Sequence, residues 1–314
     1  MSQAMGFYTD TTVCIGCKAC QVACHQWNGL PAELANFDEQ TRQITDQNDD
    51  VAQMAPGADQ VPRTRPLTGN SYDNTGSLSA VNWRHVKFIE RSEIGVGEWS
   101  HKQTDPNREN LQWLMMSDVC KHCVNAPCLE VCPTGAIMRT EFDSVYIQEP
   151  VCNGCRDCVT ACPFGVIHMS GLENYGKGTA KKCTLCYDRL QNGLTPACAK
   201  SCPTESIQFG PIEDLKQRAE TRVQQLHEMG FKEARLYGAD ETILGGLNAF
   251  YLLMDEPEVY GLPSNPKLPS RMVGPSHLLS AATAAIMGVL GMISFRKKRM
   301  DRFAEQPGSR EEAE

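Results

Sequence analysis

Sixteen cysteines constrain this 314-residue sequence more than any other feature, because every one of them falls into one of four quartets. Cys14, Cys17, Cys20 and Cys24 read C-x2-C-x2-C-x3-C. Cys120, Cys123, Cys128 and Cys132 read C-x2-C-x4-C-x3-C-P, and Cys152, Cys155, Cys158 and Cys162 read C-x2-C-x2-C-x3-C-P. In the last quartet Cys183 and Cys186 are separated from Cys198 and Cys202 by an eleven-residue insert, and the run again closes C-x3-C-P. A chain with this pattern must fold around whatever the quartets hold.

Three readings of so many cysteines compete. A disulfide scaffold is short, secreted and richer in cysteine than roughly 8–10%, whereas here the fraction is about 5% in a long chain with no visible signal peptide. Zinc ribbons use two separated C-x2-C knuckles, each supplying two of four tetrahedral thiolates. Three cysteines at two-residue intervals suit a cubane better, since one tight loop then caps one side of the cube. The fourth cysteine, three residues on and before a proline, points away from that loop toward a second cube, as in bacterial ferredoxins. Four such runs favour 4Fe–4S clusters, one per quartet, over zinc. Gly16 and Gly154 allow a close turn around each cluster, while Pro133, Pro163 and Pro203 redirect the chain after it. His25 stands where the first quartet would carry that proline, and it reads with His122 as a surface or supporting residue, since each quartet already supplies four thiolates. Lys121, Lys181, Lys182 and Lys200 flank ligands, where they could raise cluster potentials, but most read as solvated charges.

An internal repeat marks the exits from the cluster loops: CPTGAI at Cys132–Ile137, CPFGVI at Cys162–Ile167 and CPTESI at Cys202–Ile207. The expected fold class is α+β, with two ferredoxin-like two-cluster modules, insertions and a C-terminal helix. One module is expected from 1–29 with 175–210, built from the first and fourth quartets; the other spans 118–174. Residues 30–117 read as an insertion, polar over 30–80 and strand-like over 81–90. A helix is expected after Pro211, with Ile212, Leu215, Ala219, Val223, Leu226 and Met229 on one face and Gly230 at its end, inside a 211–271 extension.

From Met272 to Phe295 no Asp, Glu, Lys or Arg occurs, and Arg296, Lys297, Lys298 and Arg299 follow at once. As a helix this stretch is roughly 36 Å long against a hydrocarbon core of about 30 Å, so 272–299 is expected to cross a membrane, with 300–314 a polar tail. Small residues at Ala281, Ala284, Ala285, Gly288 and Gly291 suit packing on a partner helix. The competing reading is a helix buried in a soluble complex. The net charge of −8, with both signs interspersed, argues against nucleic acid as a partner.

The sequence resembles the four-cluster iron–sulfur subunits that accompany molybdopterin oxidoreductases, and within them the beta subunits of formate dehydrogenases. The resemblance runs from about Gly6 to Pro263. Beyond the quartets it rests on Gly6 to Asp10, Ser71 to Gly76, Asn82 to Phe88, Leu244 to Gly246 and Tyr260 to Pro263, stretches with no role legible from the residues themselves. It implies crossed ligand sets: Cys14, Cys17, Cys20 with Cys202; Cys24 with Cys183, Cys186, Cys198; Cys120, Cys123, Cys128 with Cys162; and Cys132 with Cys152, Cys155, Cys158. It further implies a non-catalytic relay of electrons from a molybdopterin alpha subunit (Mo or W) to a membrane cytochrome b gamma subunit and quinone. By the positive-inside rule the cluster region would face the periplasm and the C-terminus the cytoplasm; the alternative places the clusters on the cytoplasmic face. Rival readings are the same relay in a sulfoxide, nitrate or polysulfide reductase or a hydrogenase complex, and a zinc-stabilised interaction scaffold.

Overall fold

In the computed structural model, residues 3–31, 76–91, 112–170 and 178–304 are described. Most of the expected 30–80 excursion, the Ser71–Thr75 stretch and residues 305–314 of the polar tail lie outside them. In chain order, β1 (Met5–Asp10) leads through a 3-10 turn at Thr11–Val13 into the first cysteine loop, and α1 (Ala19–Trp27) leaves it. β2 (Arg84–Arg91) and β3 (Gln112–Val119) form an antiparallel ribbon. Around the second and third quartets lie α2 (Pro127–Glu130), β4 (Ile137–Arg139), β5 (Val145–Ile147), α3 (Asp157–Ala161), β6 (His168–Met169) and β7 (Ala180–Lys181). α4 (Tyr187–Gln191) sits in the insert of the fourth quartet and α5 (Ala197–Lys200) carries its third cysteine. Then follow β8 (Ile207–Pro211), α6 (Ile212–Glu228), β9 (Arg235–Tyr237), β10 (Ala249–Leu253) and α7 (Pro269–Ala304).

One four-stranded sheet, in the order β8–β1–β10–β9, holds the first and fourth quartets in place. β1 runs antiparallel to β8 and parallel to β10, with Tyr8 opposite Gln208 on one side and Phe250 on the other. Both central strands are buried, which is why Phe7 and Tyr8 in β1 and AFYLL in β10 are apolar or aromatic at consecutive positions rather than alternating. Phe7 meets Phe209 edge-on at 5.8 Å and Tyr8 stacks on Phe250 at 5.4 Å. α6 covers this sheet with Ile212, Leu215, Ala219 and Leu226, each large apolar side chain stabilising by about 1.5–3 kcal/mol. Arg222 on its flank ties it to β1 through Asp10 Oδ2 at 3.1 Å. Met229, expected on the same face, is exposed: the helix has ended by then, and Gly230 at φ 99° turns the chain.

Two further differences concern boundaries. The strand expected over 81–90 starts at Arg84, because Ser79–Asn82 forms a tight bridged turn. The C-terminal helix starts at Pro269, inside the 211–271 extension and before the expected start at 272, since proline at a first helical turn loses no hydrogen bond. That helix forms a unit separate from residues 1–267 and is described by itself. Within its stretch Leu278–Arg302 an 18-residue window reaches a mean hydropathy of 2.0, long and apolar enough to cross a membrane.

Candidate metal centre

The four quartets reuse one local design. In the first, Cys14 caps the 3-10 turn and Gly16 takes φ 66° and Lys18 φ 59° before Cys20 enters the first turn of α1. The third repeats it: Cys152 caps Glu149–Val151, Gly154 and Arg156 take φ 77° and 70°, and Cys158 enters α3. The remaining two loops turn through His122 at φ 45° and through Leu185 and Cys186 at φ 59° and 50°, with Cys128 and Cys198 opening α2 and α5. At the exits the three hexapeptide repeats make the same bond: Gly135, Gly165 and Glu205 each donate a backbone N–H to the carbonyl of Cys132, Cys162 or Cys202. Positive φ there is easy for glycine and costly for Glu205, which the loop nevertheless holds at 53°.

All sixteen thiols are free of disulfides, and their neighbourhoods cross the quartet boundaries. Cys14 is raised by burial and by charge on Cys202 and Cys17. Cys24 is raised by burial and by Cys183, Cys198 and Cys186. Cys123 is raised by burial and by Cys120, Cys128 and Cys162. Burial, with Cys152, Cys155 and Cys132, pushes Cys158 up to about 11. Cys132, Cys152, Cys155 and Cys158 also line one pocket with Ile137, Ile147 and Met169.

This donor set fits an iron–sulfur cluster. Among the described residues no three Cys, His, Asp or Glu side chains converge tightly enough for a single metal ion. The donors are all sulfur, which suits soft iron–sulfur chemistry. Burial raises Cys128 and Cys183 to about 12, so deprotonated sulfur at these places requires a bound cationic centre. Hydrogen bonds then reach the sulfurs from the chain. Leu185 N–H lies 3.3 Å from Cys183 Sγ, and Asn28 Nδ2 lies 3.6 Å from Cys24 Sγ. Thr134 and Thr204 place hydroxyls 3.8 Å from Cys132 and Cys202, at equivalent positions of the repeat.

The flanking cations divide by burial rather than by sequence position. Lys200 is solvated, and Lys181 pairs with Glu149 at the surface. Lys121 and Lys182 are not solvated but enclosed. Lys121 bonds to Asp118 and, at 3.1 Å, to Tyr251 Oη; Lys182 donates to the carbonyls of Val145 and, at 3.0 Å, Cys183. Burial opposes ionisation of Asp118, yet Lys121 and Lys87 hold its carboxyl at about 2. His122 is fully buried: its Nδ1 accepts from Val145 N–H at 3.1 Å, and burial with Lys182 and Arg139 keeps the ring neutral. His25 reaches the carbonyl of Pro31 at the surface.

Sequence reasoning missed Arg84 and Ser117. Both are buried beside the first quartet, Arg84 Nη1 donating to Ser117 Oγ at 2.9 Å. Burial alone would lower the guanidinium pKa, but charge on Cys198, Cys20 and Cys183 holds it above its ordinary value. The signal was there: Arg84 shares strand parity with Val86 and Phe88, an apolar face where a free charge does not belong.

Four cysteine loops of ferredoxin type on a small mixed sheet define a 4Fe–4S protein, and family comparison agrees. Two 4Fe–4S dicluster domain models match, one over residues 13–136 and one over 111–212. The chain is 34% identical over 287 residues to the formate dehydrogenase iron-sulfur subunit of Haemophilus influenzae, covering 90% of this chain and 76% of that one. It is 35% identical over 266 residues to the formate dehydrogenase-O iron-sulfur subunit of Escherichia coli, covering 82% and 71%. A component of the anaerobic dimethyl sulfoxide reductase of Escherichia coli is similar at 28% identity over 218 residues, covering 69% and 78%. The chain belongs to the family of formate dehydrogenase iron–sulfur subunits. It is an electron-transfer subunit carrying 4Fe–4S clusters, and not itself the catalytic one.

Proposed function

We propose that this chain is the relay of a formate dehydrogenase complex, carrying electrons from a molybdopterin catalytic subunit toward a cytochrome b in the membrane and its quinone. It holds four clusters in the crossed sets given above. When bound, each cluster supplies a one-electron carrier whose potential the protein sets by hydrogen bonds, burial and charge. The observation that carries the reading is the burial of the thiols, taken set by set. Cys24, Cys183, Cys186 and Cys198 are all buried, as are Cys120, Cys123 and Cys128, whereas the other two sets each contain an exposed thiol, Cys17 or Cys155. Neighbouring sets touch electrostatically through Cys20 with Cys198, Cys183 with Cys120, and Cys128 with Cys158. An insulated middle with two accessible ends is what a relay between two partners requires.

The C-terminal helix supports a membrane partner. Arg296, Lys297, Lys298, Arg299 and Arg302 follow its apolar stretch, which by the positive-inside rule supports a cytoplasmic tail and a periplasmic cluster region. The similarity to a dimethyl sulfoxide reductase component keeps one second reading, the same relay feeding a sulfoxide reductase. Anaerobic formate added to the purified complex separates them. Reduction of the cluster signals by formate is expected; clusters that ignore formate but are reoxidised by dimethyl sulfoxide would replace the first reading with the second.

A further inference from the structure

The β2–β3 ribbon lays one face on the first cysteine loop. Opposed pairs on an antiparallel ribbon share a face, so Arg84, Val86, Phe88, Met115, Ser117 and Val119 point the same way. Phe88 and Met115 close against Gly16, and Ser117 Oγ lies 3.3 Å from Cys20 Sγ. Arg84 is only 1% exposed, its guanidinium stands 4.8 Å from the centre of the Phe7 ring, and its Nε and Nη2 have no hydrogen-bond partner among the described residues. The largest negative influences on it are the sulfurs of Cys198, Cys20 and Cys183, followed by Tyr251.

These contacts have a direction. Ser117 Oγ accepts from Arg84 Nη1, which leaves the serine proton free to donate to Cys20 sulfur. A buried guanidinium without a counter-charge is costly, whereas a thiolate-bound cluster has net negative charge that grows on reduction. A fixed positive charge at this place therefore favours the reduced form.

We infer that Arg84, through its own charge and through the Ser117 hydroxyl, raises the reduction potentials of the clusters held by the first and fourth quartets. Ser117 acts on the cluster bearing Cys20 alone, while Arg84 acts also on the cluster bearing Cys183 and Cys198. Both are positioning residues, and the inference rests on the cluster reading proposed above.

Potentiometric titration of the paramagnetic signals in the purified complex tests it, with iron content measured on every sample. In Arg84→Gln, two clusters should shift to lower potential, with about a tenfold change in oxidised-to-reduced ratio at fixed potential, or about 59 mV for one electron. Ser117→Ala should shift one of those two, the one whose signal is altered in Cys20→Ser. Arg84→Lys should keep both near their wild-type values. Fully loaded Arg84→Gln with unmoved potentials overturns the inference. If Arg84→Gln fails to load, fully loaded Ser117→Ala decides: a lowered Cys20-cluster potential supports the inference and an unmoved one overturns it. Wild-type protein with zinc in place of iron would overturn the cluster reading itself, before any variant is compared.

Discussion

Gly16 and Gly135 both hold positive φ in a cysteine loop, yet only Gly16 is enclosed. A Cβ at Gly16 would lie 2.6 Å from Phe88 Cε1 and 2.8 Å from Met115 Sδ, while one at Gly135 meets nothing within 4 Å among the described residues. Left-handed backbone costs about 1–2 kcal/mol for an alanine at either position. Gly16→Ala adds overpacking of about 1–3 kcal/mol against a ribbon that cannot retreat freely. Visible absorbance followed on heating should therefore show Gly16→Ala losing its clusters at a clearly lower temperature than Gly135→Ala; equal losses would mean that the Phe88–Met115 contact does not matter. Gly16 was legible as a turn residue in the sequence, but its neighbours were not, because Phe88 and Met115 are distant in the chain. Arg84 and Ser117 share that reason. Strand parity marks Arg84 as misplaced on an apolar face, but only the tertiary fold places it among sulfurs.

The hexapeptide repeats are elements that the sequence and the fold describe alike. Each turns through its fourth residue and bonds back to its cysteine carbonyl, at Gly135, Gly165 and Glu205. We read this repeated exit geometry as aiming the last cysteine of each run away from its own loop. Cys202 accordingly neighbours Cys14, and crossed ligation follows as a prediction. Magnetic spectra of Cys202→Ala and Cys14→Ala should show damage to the same cluster, with Cys183→Ala damaging another; grouping of Cys202 with Cys183 would contradict it. α6 was readable from its apolar spacing and its Pro211 and Gly230 boundaries. The parallel pairing of β1 with β10 was not, since buried central strands show no alternation and some 240 residues separate the partners.

For the whole molecule, the chain joins a cluster-bearing region to a helix able to cross a membrane. If the basic residues after that helix set its orientation, protease added to intact spheroplasts should digest the cluster region and spare a tag placed after Glu314. A surviving cluster region with a cleaved tag would reverse the orientation, and survival of both would place the cluster region in the cytoplasm. Beneath sidedness lies the number of clusters, on which the relay depends. Iron and acid-labile sulfide assayed in anaerobically purified protein measure it directly. Sixteen thiolates in four sets predict about sixteen irons and about sixteen sulfides per chain. A reproducible value of about eight of each, or stoichiometric zinc in their place, would contradict the account.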